Sequence, residues 1–232
     1  MRIFTNFLIA QNEIARELKE FGILYQPETV QDRDVSQDKS YEVRELLNYQ
    51  YMITNPRPSD FESISTCDWV WCLAEFQERI SLGEMNPGSA WQLRRDYWKP
   101  FLKLRPSGFR QFSYNYQERL RGHLDLIIRE LRTHPHSRQL YLSIWDRQWD
   151  PASRGRERVP CSLGYWFAYR NGELHMTYLQ RSSDYFEHFT NDVCLAIMLQ
   201  DYVARRADLK IGRFTHWLGS LHTFAKDVEH VF

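Results

Sequence analysis

Pro160 to Asp184 reads PCSLGYWFAYRNGELHMTYLQRSSD, and this stretch decides the class of fold. Cys161–Tyr169 and Leu174–Leu179 are runs of strand-forming residues joined through Arg170-Asn171-Gly172-Glu173. Asn-Gly is the strongest short hairpin signal, because a two-residue turn that matches strand twist needs positive φ at both central positions. The second strand leads into a polar run, Gln180-Arg181-Ser182-Ser183-Asp184. The core of the fold is therefore expected to contain an antiparallel pair that carries polar side chains at one end.

Outward from this pair, helical and strand periodicities alternate. Upstream, Leu140, Leu142 and Ile144 alternate with Tyr141, Ser143 and Trp145, which predicts a strand. Before it, Leu120, Leu124, Ile127, Ile128 and Leu131 form one stripe, which predicts a helix over about 117–132. Downstream, Val193, Ala196, Ile197, Leu199 and Val203 predict a helix over about 191–205, with Thr190 or Asn191 as its cap. Strand-like sequence resumes at Leu209 to Leu218. Nearer the start, Phe7, Ile14, Leu18 and Phe21 predict a helix ending at Gly22, followed by a polar loop over 27–40. Tyr41 to Thr54 is rich in β-formers and stops at Asn55-Pro56-Arg57-Pro58. Residues 67–81, with Trp69, Trp71, Leu73 and Phe76, read as a buried helix, Gly83 to Gly108 as loop-rich, and Asp146 to Val159 as a charged loop. The expected class is α+β, a mixed sheet flanked by helices in a single domain over 1–232.

Composition narrows the function. Thirty basic residues balance thirty acidic ones in a chain of 232, which argues against an electrostatic nucleic-acid binder. Hydrophobic residues make up 43% and aromatic residues 15%, enough for a large core, so disorder is excluded. No apolar run approaches the roughly 18 residues that a membrane span needs. The opening residues lack a small-residue cleavage site, so no signal peptide is expected. Cys67, Cys72, Cys161 and Cys194 show no CxxC pairing and no histidines at zinc-like spacing. Free thiols, no metal and the reducing cytosol, of a bacterium or a phage-infected host, are the expectation.

The chemistry concentrates in four pieces: Val159-Pro160-Cys161-Ser162, Gln180 to Asp184, Asn191-Asp192 and Gly219-Ser220-Leu221-His222. Each alone has an ordinary reading: a core cysteine, a polar strand end, a hydrogen-bonded histidine. Together they hold a thiol, a guanidinium, hydroxyls, carboxylates and an imidazole, the inventory of a nucleophilic site for an anionic substrate.

In this order the block resembles the thymidylate synthase superfamily, in which Pro-Cys, Gln/Met-Arg-Ser-x-Asp and Gly-x-x-His-x-Tyr/Phe recur. The resemblance extends to Leu73-Ala74-Glu75-Phe76, Tyr114 to Arg119 and Pro135-His136-Ser137-Arg138, covers roughly 67–226, and matches the first 65 residues poorly. It implies a sheet-to-sheet homodimer acting on a pyrimidine nucleoside monophosphate, with 5,10-methylenetetrahydrofolate as co-substrate. Cys161 would be the nucleophile that adds to C6, its thiol lowered by Arg181. Glu75 would be the general acid/base. Arg181 and Ser182 would hold the phosphate, and so would Arg138, reaching across the dimer from the neighbouring subunit. Gln180 and Tyr114 would position the substrate, Asp184 would face the pterin, and His222 would bond the ribose hydroxyl.

Departures from the family pattern carry information. Where thymidylate synthases have an asparagine that reads uracil, the ungapped overlay places Asp192. A carboxyl group accepts from cytosine's amino group and, when protonated, donates to N3, which resembles the deoxycytidylate and cytidylate hydroxymethylases. One deleted residue in 186–190 would instead place Asn191 there and restore uracil. Ser162 stands for the usual histidine, Phe224 for tyrosine, His188 for glycine and Gln139 for a second arginine. The chain ends ten residues after His222, so the tail that closes over folate is expected to be missing or different. The admitted water would then favour hydroxymethylation over hydride transfer. Lys39 is the candidate N-terminal phosphate cation. A methyltransferase acting on dUMP or dCMP and a catalytically silent nucleotide- or RNA-binding homologue remain as alternatives.

Overall fold

The hairpin and its parallel neighbour organise the molecule. In the computed structural model, which describes residues 1–30, 33–83, 85–150 and 158–232, a seven-stranded mixed sheet is built from seven segments. They are β1 (Arg2–Phe4), β2 (Ile23–Tyr25), β3 (Val43–Ile53), β4 (Tyr141–Ser143), β5 (Ser162–Arg170), β6 (Glu173–Asp184) and β7 (Lys210–Phe224). The spatial order is β1-β3-β7-β6-β5-β4, with β2 beside the other end of β3. The pairs β6/β7 and β1/β3 are parallel and the others antiparallel. Two short hairpins lie outside it, pairing Thr29–Val30 with Arg33–Asp34 and Lys103–Leu104 with Arg110–Gln111. Half of the expected charged loop, 151–157, lies outside the described residues.

The expected turn forms at Asn171-Gly172, where φ is 53° and 84°. The two parallel strands β6 and β7 need a crossover, and helix α5 (Thr190–Ala207) supplies it; the numbering follows the four longer helices described next. They are α1 (Phe7–Phe21), α2 (Trp69–Arg79), α3 (Tyr116–Leu120) and α4 (His123–Thr133). Thirteen of the eighteen α5 residues are buried, so it is a core helix that meets solvent mainly in its last turn, at Arg205 and Arg206. The buried Gln200 amide donates to the carbonyls of Leu174 (2.9 Å), Gly212 (3.2 Å) and Arg213 (3.1 Å), tying α5 to both parallel strands.

Two sequence expectations need correction. The helix expected over 117–132 is two helices, because Arg121 turns extended and Gly122 takes φ +78°, a conformation open to glycine. Neither Thr190 nor Asn191 caps α5. A π-helical turn, Tyr185–Phe189, precedes it, and Asp184 caps that turn by accepting from the amides of Phe186 and Glu187. Thr190 instead pairs with Thr66, and Asn191 accepts from the Asp68 amide.

The pleat sorts the sheet's side chains into two faces. Tyr165, Tyr178, His216 and Tyr51 lie in register on the buried face. The next row, Trp166, Thr177, Thr215 and Met52, is only partly covered, and Trp166 is 37% exposed.

Gly164 of β5 tests the tightness of this sheet. A Cβ there would lie 2.6 Å from the Leu142 carbonyl oxygen of β4 and would also meet the Tyr141 hydroxyl. Gly164→Ala should therefore destabilise the fold by about 1–3 kcal/mol, read as a lowered unfolding midpoint in urea. An unchanged midpoint would mean that β4 yields freely.

Candidate active site

Cys161 stands immediately before β5, held against β6 by a backbone bond from the Arg181 amide to its carbonyl (2.8 Å). The β5/β6 register slips between Leu179 and Gln180, so that Gln180 faces Ser162. Such a bulge re-aims side chains beside it. Arg181 then folds back on the loop: its Nε donates to the Pro160 carbonyl (2.9 Å) and its Nη2 to that of Val159 (3.3 Å). The same Nη2 stands 4.0 Å from the Cys161 sulfur.

These residues open onto a cavity of about 660 Å³. Cys161, Glu75, Asp192, Tyr114, Arg181, Ser182, Asp184 and His222 all line it, although they come from segments as distant as α2 and β7. Three expected residues do not. Gln180 is fully buried behind Asp192, which corrects its expected contact with substrate. Arg138 lies exposed, away from its own chain's cavity, and its carbonyl accepts from the Trp166 indole (3.2 Å). Lys39 is also outside, whereas Lys226 lines the cavity over the ring of Tyr41 (5.0 Å).

The off-by-one question between Asn191 and Asp192 has a geometric answer. Successive residues on a helix point about 100° apart, so only one of the two can face the cavity. Asp192 faces it, and the Asn191 side-chain Oδ1 accepts from the Asp68 amide at 2.8 Å. Behind Asp192 runs a buried relay. The Tyr51 hydroxyl meets His216 Nδ1 (3.0 Å), His216 Nε2 meets Gln180 Oε1 (2.9 Å), and Gln180 Nε2 donates to Asp192 Oδ2 (2.6 Å). Burial lowers His216 to about 3, so its ring is neutral. A neutral ring that faces the Gln180 carbonyl through Nε2 carries its proton there and accepts from Tyr51 at Nδ1. The relay leaves Asp192 Oδ2 an acceptor, so a proton on this carboxyl sits on Oδ1.

Burial governs the electrostatics. It pushes Asp192 up, against the pull of the Gln180 hydrogen bond. It pushes the Cys161 thiol up as well, against Arg181 and Arg158, so the expected net lowering by Arg181 is not what this pocket produces. Burial lowers His222 to about 4 and His188 to about 3, helped by nearby arginines, and both rings are neutral at pH 7. Burial likewise pushes Tyr114 up to about 12. Glu75 pairs with Arg79 one turn along α2 (2.9 Å), and Arg79 in turn stacks 3.8 Å over the ring of Tyr116. Ser162 points away from the cavity, its hydroxyl bonded to those of Tyr178 (2.6 Å) and Tyr116 (3.0 Å).

Sequence reading missed Arg158 and Arg79, and noted His188 only as a departure from the family's glycine. Arg158 sits at the cavity 4.4 Å over Trp98, and the only sequence signal was its place two residues before Pro160. Arg79 was legible as the i+4 partner of Glu75. His188 lines the cavity and bonds the Tyr97 hydroxyl (2.5 Å), a partner too distant in sequence to suggest itself.

A thiol beside two arginines, with the carboxyls of Glu75, Asp184 and Asp192 in one partly apolar cavity, is the inventory of a group-transfer site for an anionic substrate. The profile of the thymidylate synthase family matches residues 42–232, reaching further toward the N-terminus than the motifs do, and the chain belongs to that family. It is accordingly a one-carbon transferase of the family that uses methylenetetrahydrofolate as co-substrate.

Among its relatives is a Methanocaldococcus jannaschii protein provisionally named a thymidylate synthase, 26% identical over 215 residues, 88% of this chain and 87% of the relative. A Methanothermobacter thermautotrophicus protein of the same provisional name is 37% identical over 129 residues, 52% of this chain and 56% of its own. Against the Listeria monocytogenes thymidylate synthase the identity is 29% over 105 residues, 45% of this chain but only 32% of the relative. The fold matches that of the thermostable thymidylate synthase A of Bacillus subtilis with a TM-score of 0.77 at 17% identity, covering 98% of this chain and 83% of that one.

Asp184 gives the site a pH signature. Burial raises its carboxyl from 3.8 to about 7. Between those values the folded chain binds the proton that the unfolded chain has released, so stability is full below about pH 4 and falls as pH rises toward 7. Asp184→Asn keeps the cap but cannot ionise. The unfolding free energy of wild type minus that of the variant should therefore decline across this window in urea titrations. A difference independent of pH would mean that Asp184 is solvated.

Proposed function

We propose that this enzyme is a 5-hydroxymethyltransferase of pyrimidine nucleoside monophosphates, acting on dCMP or CMP with methylenetetrahydrofolate and water. The observation that carries the reading is the carboxyl of Asp192 at the cavity wall, with Oδ2 held as an acceptor by Gln180 and with burial favouring its protonated form. Protonated at Oδ1, it donates to an acceptor such as cytosine N3, while Oδ2 accepts from the amino group in place of its long contact with the Ser183 hydroxyl (3.4 Å). Uracil presents an N3–H donor and an O4 acceptor in those places, and both contacts fail.

Cys161 is the proposed nucleophile at C6. Its thiol, raised by burial, passes its proton to water ordered by the Glu75 carboxylate, and addition of the resulting thiolate, beside Arg181, to C6 turns C5 into a carbon nucleophile. Methylenetetrahydrofolate supplies the one-carbon unit when bound. The aromatic wall of Trp71, Tyr97 and Trp98, with Asp184 at the rim, suits a flat, hydrogen-bonding pterin. Glu75, held by Arg79, is placed to order water and shuttle the proton lost from C5. Arg181 and Ser182 suit the phosphate, and His222, a neutral ring, suits a sugar hydroxyl.

The sheet face bearing Trp166, Thr177 and Thr215 supports a sheet-to-sheet homodimer. The exposed Arg138 beside Trp166 is positioned on that side, suited to reach a partner's phosphate site. In that case inactive Cys161→Ser and Arg138→Ala chains should complement one another, since a mixed dimer assembles one intact site. Verified heterodimers that recover no activity would put Arg138 outside both sites.

The test of the base reading is kcat/KM for dCMP, CMP and dUMP, followed by tritium release from C5. Wild type should prefer the cytosine nucleotide, and Asp192→Asn should shift the dCMP/dUMP ratio toward dUMP by roughly two to four orders of magnitude, because each mispaired buried group costs about 1–3 kcal/mol. A wild-type preference for dUMP, or formation of dihydrofolate with its absorbance change, would favour methyl transfer instead.

A further inference from the structure

Three of the four cysteines meet behind the cavity. Cys67 lies just before the N-cap of α2, Cys72 within α2 and Cys194 on α5. Their sulfurs all lie within 4.8 Å of one another, with Cys67 and Cys72 4.0 Å apart. Cys72 and Cys194 are fully buried and Cys67 half-buried. An equilateral triangle with edges of 4.0–4.8 Å has its centre about 2.3–2.8 Å from each corner, and a zinc–thiolate bond is about 2.3 Å. One ion would seat there with sulfur shifts of at most about half an ångström.

We propose that Cys67, Cys72 and Cys194 form a binding site for one thiophilic d¹⁰ cation, Zn²⁺ or Cu⁺. The donor set names the class. Among the described residues this is the one group of three or more His, Cys, Asp and Glu side chains arranged to hold an ion, and it is all sulfur. Soft thiolates select Zn²⁺ and Cu⁺ over Mg²⁺ or Ca²⁺. Three sulfurs alone complete a trigonal Cu⁺ site. Zn²⁺ takes a fourth donor, for which the Asn191 side-chain oxygen, 3.4 Å from the Cys72 sulfur, is the candidate, with water as the other source.

Binding releases one proton from each thiol that ligates and forms one metal–sulfur bond in its place. The amides at the N-terminus of α2, beside Cys67, offset part of the thiolate charge. The ion ties α2 to α5. Glu75 follows Cys72 by one turn, and Asp192 precedes Cys194 by two residues, so the site sets the spacing of the two helices that carry the cavity's two inner carboxyls. Sequence spacing concealed it, because the third ligand lies far along the chain from the other two.

The experiment uses the full chain, reduced and metal-free, carrying Cys161→Ser so that the cavity thiol cannot contribute. Zn²⁺ is titrated against a chromophoric chelator, Co²⁺ is added as its spectroscopic substitute, and Cu⁺ is titrated against a Cu⁺-specific chelator. One equivalent should bind and raise the thermal midpoint. Thiolate-to-Co²⁺ charge-transfer bands with tetrahedral d–d bands assign the site to Zn²⁺, and Cu⁺ binding without a stable Co²⁺ complex assigns it to Cu⁺.

Adding Cys67→Ser, at the least buried of the three, should weaken binding by at least roughly a hundredfold with an unchanged circular dichroism spectrum. A measurement needing no further variant stands beside it: the bound ion should protect Cys67 from iodoacetamide, read by peptide mass spectrometry. Binding of neither ion, equal affinity after Cys67→Ser, or an unprotected Cys67 would overturn the proposal.

Discussion

Strand β6 is hydrogen-bonded along both edges, and the two registers so fixed decide where the site lies. Antiparallel pairing with β5 carries the slip at Gln180 that sets Arg181 against Cys161. Parallel pairing with β7 places Asp184 opposite His222, so the cap of the π turn and the imidazole share one rim. A parallel pair needs a long return, and α5 is that return. Asp192 reaches the cavity because the helix starts one π-helical turn after β6 ends.

The interior adds a second constraint. No water reaches the row of Tyr165, Tyr178, His216 and Tyr51, so each polar atom there needs a partner with the right donor or acceptor sense. Tyr178 stacks on His216 at 4.6 Å and on Tyr165 at 4.9 Å, which holds the imidazole plane. Once that plane is held, the sense of every bond outward to Asp192 follows. The base recognition proposed for Asp192 would therefore be prepared on strands β3 and β7, not only by the residue that touches the substrate. Gln180, which resembled a substrate contact by its place in the motif, works from behind.

The same low-dielectric interior changes the thiol argument. A guanidinium 4.0 Å from Cys161 suggested a lowered pKa, but desolvation outweighs it in the free protein. In the proposed reaction, activation of the thiol therefore belongs to the substrate complex and not to the free protein.

The chain alone determined the hairpin at Asn171-Gly172, the long helices, the α+β class and the ordered motif from Cys161 to His222, because these signals are local: turn chemistry, a 3.6-residue period, a fixed spacing. It also placed Asp192 in the pattern, with Asn191 left as a rival. Tertiary structure decided everything that depends on direction or on distance across the sequence. It broke the expected 117–132 helix at Gly122, turned Asn191 away by the 100° step of a helix, withdrew Gln180 from the cavity and left Arg138 on an open face. It brought Arg158 and His188 to the site, and three cysteines to one point. The physical reason is common to all of these. Local propensity fixes the conformation of a segment, but which side of it faces the cavity follows from the register of strands and the packing of α5.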